Sequence, residues 1–137
     1  LLLARRPTAP AKGAFDLPGG FIDMYETGEE GVAREVKEET GFTVRQSTYL
    51  FSLPNIYPFS GFEVHTLDMF FLCRVEDTSA PEAYDDVAET FFIPIDKIEP
   101  QKFGLGSVRR GVERFIEMKR QKTALFAKKE TSPGISE

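Results

Sequence analysis

The chain is short of several features that would each have assigned it to a class. Its one cysteine, Cys73, lies in the apolar run LDMFFLCRV, so no disulfide can form within the chain. That fits a reducing compartment, and a cytoplasmic location is the expectation. The sole histidine, His65, shows no sign of pairing with Cys73, which reads as a core thiol and not as a nucleophile. No apolar stretch approaches the roughly 20 residues that span a bilayer, so no membrane role is expected. Basic residues are outnumbered, 17 Lys and Arg against 22 Asp and Glu, for a net charge of −5. The balance provides no footprint for a nucleic-acid backbone, so no nucleic-acid partner is expected. A small phosphorylated ligand is still allowed, because a pocket or a bound metal can reverse the local sign. No methionine precedes LLLARR, and the chain reads as the trimmed or partial form of a longer product.

What is present is ordinary for a globular protein, and 137 residues suffice for one core. Residues 1–5 read as the end of a strand and RPTAPAKGAF as a loop. DLPGG reads as a tight turn where adjacent Gly19 and Gly20 permit close approach of a ligand. Thr27 with Glu30 has the form of a capping box, opening a helix that runs to about Thr40, with Gly41 as its left-handed cap. Val32 and Val36 share the stripe expected to face the core, while Gly31 is a local weakness worth up to about 1 kcal/mol. FTVRQSTYLFSL and FEVHTLDMFFLCRV read as strands joined by a hairpin loop, PNIYPFSG. An acidic loop, EDTSAPEAYDD, precedes a third strand around ETFFIPI. Leu105, Val108, Val112, Phe115 and Ile116 then mark an amphipathic helix. Residues 1–121 read as one α/β or α+β domain. Residues 122–137 read as a tail of weak periodicity, compatible with mobility.

The stretch REVKEETGF places Glu35, Glu38 and Glu39 at i, i+3 and i+4 on one helical face. Like charges so placed weaken a helix by roughly 0.2–0.5 kcal/mol per pair, so the crowding needs a reason. Alone, E-x-x-E-E reads as a solvated acidic face. Its surroundings reverse that reading. From Gly20 to Phe42 the spacing is Gly20, five residues, Glu26, seven residues, Arg34-Glu35-Val36, one residue, Glu38-Glu39, one residue, Gly41-Phe42.

This pattern resembles the signature box of the Nudix hydrolases, which cleave nucleoside diphosphates linked to another moiety. The fixed identities all match, and Phe42 stands where an aliphatic residue is more usual. The resemblance implies an α/β/α sandwich around a central mixed sheet. It implies magnesium, with manganese as a substitute, held by Glu35, Glu38, Glu39 and the carbonyl of Gly19. It also implies that Arg34 and Glu26 form a structural ion pair. Glu35 or Glu39 would instead orient or deprotonate the attacking water, or the base would come from Asp85, Asp86 or Glu89 in YDDVAET. The chemistry suits the donors: magnesium takes hard oxygen ligands, withdraws phosphate charge and acidifies bound water. Metal would also let all three glutamates stay ionised side by side.

The substrate's remainder is less constrained. Arg5 and Arg6 could meet phosphates or be plain surface residues. Phe15 could line a base pocket or be a buried anchor, and Tyr57 and Phe59 could stack on a base, pack on their own loop or form a dimer contact. Ser52, Pro54, Pro58 and Phe59 partly match the Ser-Gln-Pro-Trp-Pro-Phe-Pro array of bacterial-type NADH diphosphatases, without the tryptophan. NADH and ADP-ribose or ADP-sugars are thus both candidates, and His65 reads as an ordinary strand histidine. The resemblance is compatible with a homodimer, and with a nucleotide-sensing domain that does not turn over its ligand.

Overall fold

The computed structural model describes residues 2–5, 14–76, 90–104 and 106–130, with backbone alone for 2–5, 90–91 and 124–130. Strand β1 (Leu2–Arg5) lies between β2 (Phe15–Asp16) and β5 (Thr90–Phe92), antiparallel to both. The helix α1 (Gly28–Thr40) leads into β3 (Val44–Phe59) and β4 (Phe62–Val75), which pair along their length as an antiparallel hairpin. Two single-turn 3₁₀ helices, Ile95–Lys97 and Pro100–Lys102, precede α2 (Gly106–Glu130). An isolated parallel bridge between Phe15 and Phe103 adds the mixed character to the otherwise antiparallel pairing among the described residues.

Local chemistry sets the ends of α1. The Thr27 hydroxyl accepts from Glu30 N–H at 3.1 Å while the Glu30 carboxylate accepts from Thr27 N–H at 3.2 Å. At the other end Gly41 takes φ 81° and returns its N–H to the Lys37 carbonyl at 2.9 Å. Val36 is buried and Val32 half-buried. Gly31, costly in a helix interior, has a packing reason: a Cβ there would lie 2.7 Å from Ile22 Cγ2 and 3.2 Å from Glu26 Oε1. The residue's bareness lets the preceding loop lie flat on the helix.

The segment PNIYPFSG does not form a hairpin loop. Pro54 to Phe59 continue β3, and the reversal takes only Ser60 and Gly61, at φ 50° and 80°. Two successive positive φ values make the type I′ geometry that matches strand twist. Prolines are tolerated because this ribbon, two-stranded among the described residues, leaves N–H positions that face no partner strand there. α2 also runs on through Lys122 to Glu130, past the boundary read for the domain.

Adjacent residues of β4 point to opposite faces, and this orders the layers. Phe70 lies against Gly111 of α2, and Phe71 lies against Gly28 of α1. The hairpin is therefore the middle of a helix–sheet–helix sandwich. The core beside it is small. Phe103, fully buried, and Val112 form its centre, with Phe15, Leu17, Ile93, Ile98, Val108 and Ile116 packed around them. Phe103→Ala is expected to lower stability by about 3–5 kcal/mol, read from urea unfolding. A loss under about 1 kcal/mol would mean the site collapses onto the gap.

Candidate active site

The site is assembled where the loop from Gly19 to Glu26 runs along α1, from Glu39 in its last turn back to Gly31 in its first. Glu35, Glu38 and Glu39 project from the helix because of its 3.6-residue repeat. The turn at Gly19 meets the last of them directly, its N–H donating to Glu39 Oε2 at 3.1 Å. Glu35 is seated against Gly20, where any Cβ would come within 2.7 to 2.9 Å of its carboxylate. A side chain at position 20 would push Glu35 off the loop.

Arg34 ties the parts together. Its Nε donates to Glu26 Oε2 at 2.8 Å and its Nη2 to Glu26 Oε1 at 3.0 Å, a bidentate pair. Nη2 also donates to the Phe21 carbonyl at 3.0 Å. Nη1 points along the helix, to Glu35 Oε1 at 2.9 Å and Glu38 Oε2 at 3.1 Å. Asp23 approaches Nε at 3.2 Å. One guanidinium thus faces the carboxylates of Asp23, Glu26, Glu35 and Glu38, and the cluster is left short of positive charge.

The ionisation of the pair follows from these contacts. Arg34 beside it, then the Asp23 N–H, hold the Glu26 carboxyl below the usual carboxylate range. Glu26 first, then Glu35, hold Arg34 above its own ordinary value. Elsewhere, burial pushes the Cys73 thiol up, in keeping with an inert side chain.

The donor set suits magnesium, since hard carboxylate oxygens rise from one rigid helix beside a glycine turn. Among the described residues no three His, Cys, Asp or Glu side chains are already placed to hold a metal ion together. Nη1 of Arg34 lies on Glu35 and Glu38, and the Gly19 amide donates to Glu39. Of the three glutamates Glu38 is exposed and the other two half-buried.

Phe15 is half-buried and meets Phe103 edge-on at 5.9 Å within the core cluster, as an anchor would. It also lines a shallow recess with Lys97 and Lys102. Tyr57 and Phe59 alternate along β3 onto one face and meet Phe21 edge-on, each at 5.6 Å between ring centres. Phe21 escaped the sequence reading, although it directly follows Gly20. Its ring bridges the box loop and the hairpin, and only the hairpin's extra length brings those together. Asp23 was also missed, and the turn it opens holds Tyr25 at φ 65°, a conformation costly for a bulky residue. The side chains of Arg5 and Arg6, and all of Asp85, Asp86 and Glu89, lie outside the described residues.

Residues 1–114 match the model of the NUDIX domain. The chain belongs to the Nudix family. It is 35% identical over 105 residues to the ADP-ribose pyrophosphatase of Methanocaldococcus jannaschii, covering 75% of this chain and 59% of that protein. It is 33% identical over 100 residues to the NAD-capped RNA hydrolase NudC of Vibrio vulnificus, covering 73% and 36%. This Nudix chain therefore spans less than two thirds of either relative's length. Among solved structures, a NUDIX hydrolase from Nitrosomonas europaea superposes with a TM-score of 0.68 at 22% identity, over 88% of this chain and 64% of that one. The NUDIX domain of Shewanella oneidensis NrtR complexed with ADP ribose gives 0.57 at 22% identity, over 89% and 76%. The shared α/β fold is the Nudix sandwich. No helix among the described residues is long and apolar enough to cross a membrane.

The Glu26–Arg34 pair has a measurable consequence. A carboxylate with a depressed folded pKa adds stability above the ordinary carboxylate range. That stability is lost as pH falls through the folded value. Metal-free protein is expected to lose stability on acidification from about pH 6 to about pH 3, and Glu26→Gln is expected to flatten that loss. Urea midpoints across the range, in the presence of a chelator, provide the check. Equal slopes would show that the pair contributes nothing to folding.

Proposed function

We propose that this Nudix domain is a magnesium-dependent pyrophosphohydrolase that cleaves the diphosphate of a nucleoside diphosphate linked to a second moiety, of the ADP-ribose, ADP-sugar or NADH type. The observation that carries the reading is the charge imbalance at α1. Five carboxylates, those of Asp23, Glu26, Glu35, Glu38 and Glu39, gather around one guanidinium and one turn amide. Such a cluster is tolerable where a divalent cation completes it.

Glu35, Glu38 and Glu39, with the Gly19 carbonyl, would hold the ion. Bound there, magnesium would withdraw charge from the phosphate oxygens and acidify a water. The protein's own part is mostly positional. Gly20 and Arg34 keep Glu35 in one place, and the Gly19 amide does the same for Glu39. Glu38 must exchange its bond to Arg34 for the ion, and its exposure leaves it free to swing. Glu35 or Glu39 would take the proton of the attacking water, with Asp85, Asp86 and Glu89 as alternatives. Phe21, Tyr57 and Phe59 form an aromatic surface beside the box, suited to an adenine or nicotinamide ring. Arg5 and Arg6, whose side chains lie outside the described residues, are the candidates for phosphate contacts, with a plain surface role as the equal alternative. Relatives named for ADP-ribose and for NAD-capped RNA support a substrate with a nucleoside diphosphate core.

A second reading, a domain that binds such a nucleotide without turnover, is favoured by one observation. Arg34 already neutralises part of Glu35 and Glu38, so a ligand could be held without a loaded ion. A product-release assay over ADP-ribose, NADH, diadenosine polyphosphates and nucleoside triphosphates, with magnesium, separates the two. Turnover of at least one diphosphate-linked substrate is expected. Glu38→Gln and Glu39→Gln should then lower kcat by about a hundredfold or more, since a neutral amide is a poor magnesium ligand. Tight binding without product would favour the non-hydrolytic domain, and wild-type kcat in either variant would remove that residue from the ligand set.

A further inference from the structure

The aromatic surface is carried by a lever. Tyr57 and Phe59 lie three and five residues beyond Pro54 on β3, so Phe59 stands roughly 17 Å out at about 3.3 Å per residue. A two-stranded ribbon does not hold its own shape well in water. Something must fix the angle at which this one leaves the body of the protein.

The first turns of α2 grip both strands at neighbouring rungs. Ser107, almost wholly buried, donates its hydroxyl to Asp68 Oδ2 on β4 at 2.5 Å. Arg110, one turn on, donates from Nη2 to the Pro54 carbonyl on β3 at 2.7 Å. In the hairpin register Asp68 pairs with Leu53 and Pro54 with Leu67, so the two grips are adjacent. Asp68 is satisfied on its other oxygen by the Thr66 hydroxyl at 2.7 Å. Its charge also lies at the positive end of the α2 dipole. Gly111 lets Phe70 approach the helix, and Arg114 stacks over Phe51 at 4.8 Å. Ser107, Arg110, Gly111 and Arg114 share one helical face.

We propose that Ser107, Asp68 and Arg110 are positioning residues for substrate recognition: they clamp the hairpin at its root and so place Tyr57 and Phe59 against Phe21. A grip on one strand would leave the ribbon free to twist. Grips on both strands at one level fix tilt and twist together. The inference rests on the reading above, in which those rings meet the substrate's base or nicotinamide. The residues touch neither the box glutamates nor the reacting diphosphate, so their loss should act on recognition and spare the chemical step.

The test uses Ser107→Ala and Arg110→Gln, the latter an exposed position that should fold normally, with Ser107→Thr as the conservative control. On a substrate that the wild type hydrolyses, both variants are expected to raise KM about tenfold, a part of the worth of ring stacking, with kcat within about twofold. Ser107→Thr, which keeps the hydroxyl, should restore KM. Amide hydrogen exchange, read independently of activity, should quicken across residues 55–66 and stay unchanged in α1. Unchanged exchange in both variants would overturn the clamp. Faster exchange with unchanged KM would overturn its role in recognition, as would a fall in kcat matching the rise in KM. A wild type that turns over none of the panel sinks the hydrolase reading instead, and the exchange data still decide the clamp.

Discussion

The Arg34 guanidinium bonds Glu26 on two sides, the Phe21 carbonyl, and Glu35 and Glu38 one and four residues along α1. This single group joins a loop without regular structure to a rigid helix. Its planar fork suits the task, because fixed donors reach several acceptors at once where an ammonium would act as a point charge. Were it removed, the neighbouring carboxylates would repel one another and the loop would lose its register on the helix. Gly20, Gly31 and the Gly19 amide add their contacts to the loop that Arg34 ties to the helix.

The same arrangement would set a balance between folding and the ion binding proposed above. Arg34 satisfies the half-buried Glu35 without metal, so the chain folds with its acidic cluster partly neutralised. The neutralisation is incomplete, because one positive group cannot offset several negative ones. The residual charge is a driving force for a cation, and exposed Glu38 is the group best able to respond. In the function proposed here, stability and catalysis would draw on one set of carboxylates, with Glu26 on the folding side and Glu38 as the ion's ligand.

Around this site the hairpin acts as the middle layer and as an arm. Its root is held between α1 and α2 by Phe71 and Phe70, and its outer half carries the rings that meet Phe21. The outer half exposes Ile56, Phe59, Phe62 and Leu67. The turn-forming residues of that arm are what hid its nature in the sequence. Two prolines and an Asn-containing stretch look like a loop, yet a ribbon that pairs with no third strand among the described residues has no inner strand whose ladder a proline would break.

Features governed by near neighbours in the chain were legible from residues alone. The capping box at Thr27 and Glu30, the left-handed Gly41 and the single acidic face of α1 each depend on contacts within four residues, so local spacing determines them. The box spacing likewise announced the family. Tertiary structure alone decided that Arg34 would reach the Phe21 carbonyl across 13 positions, that Phe21 would meet Tyr57 and Phe59, and that Ser107 would reach Asp68 across 39 positions. Such contacts depend on how the loop, the hairpin and α2 pack in space, and no local pattern records the distance between segments that meet only after folding.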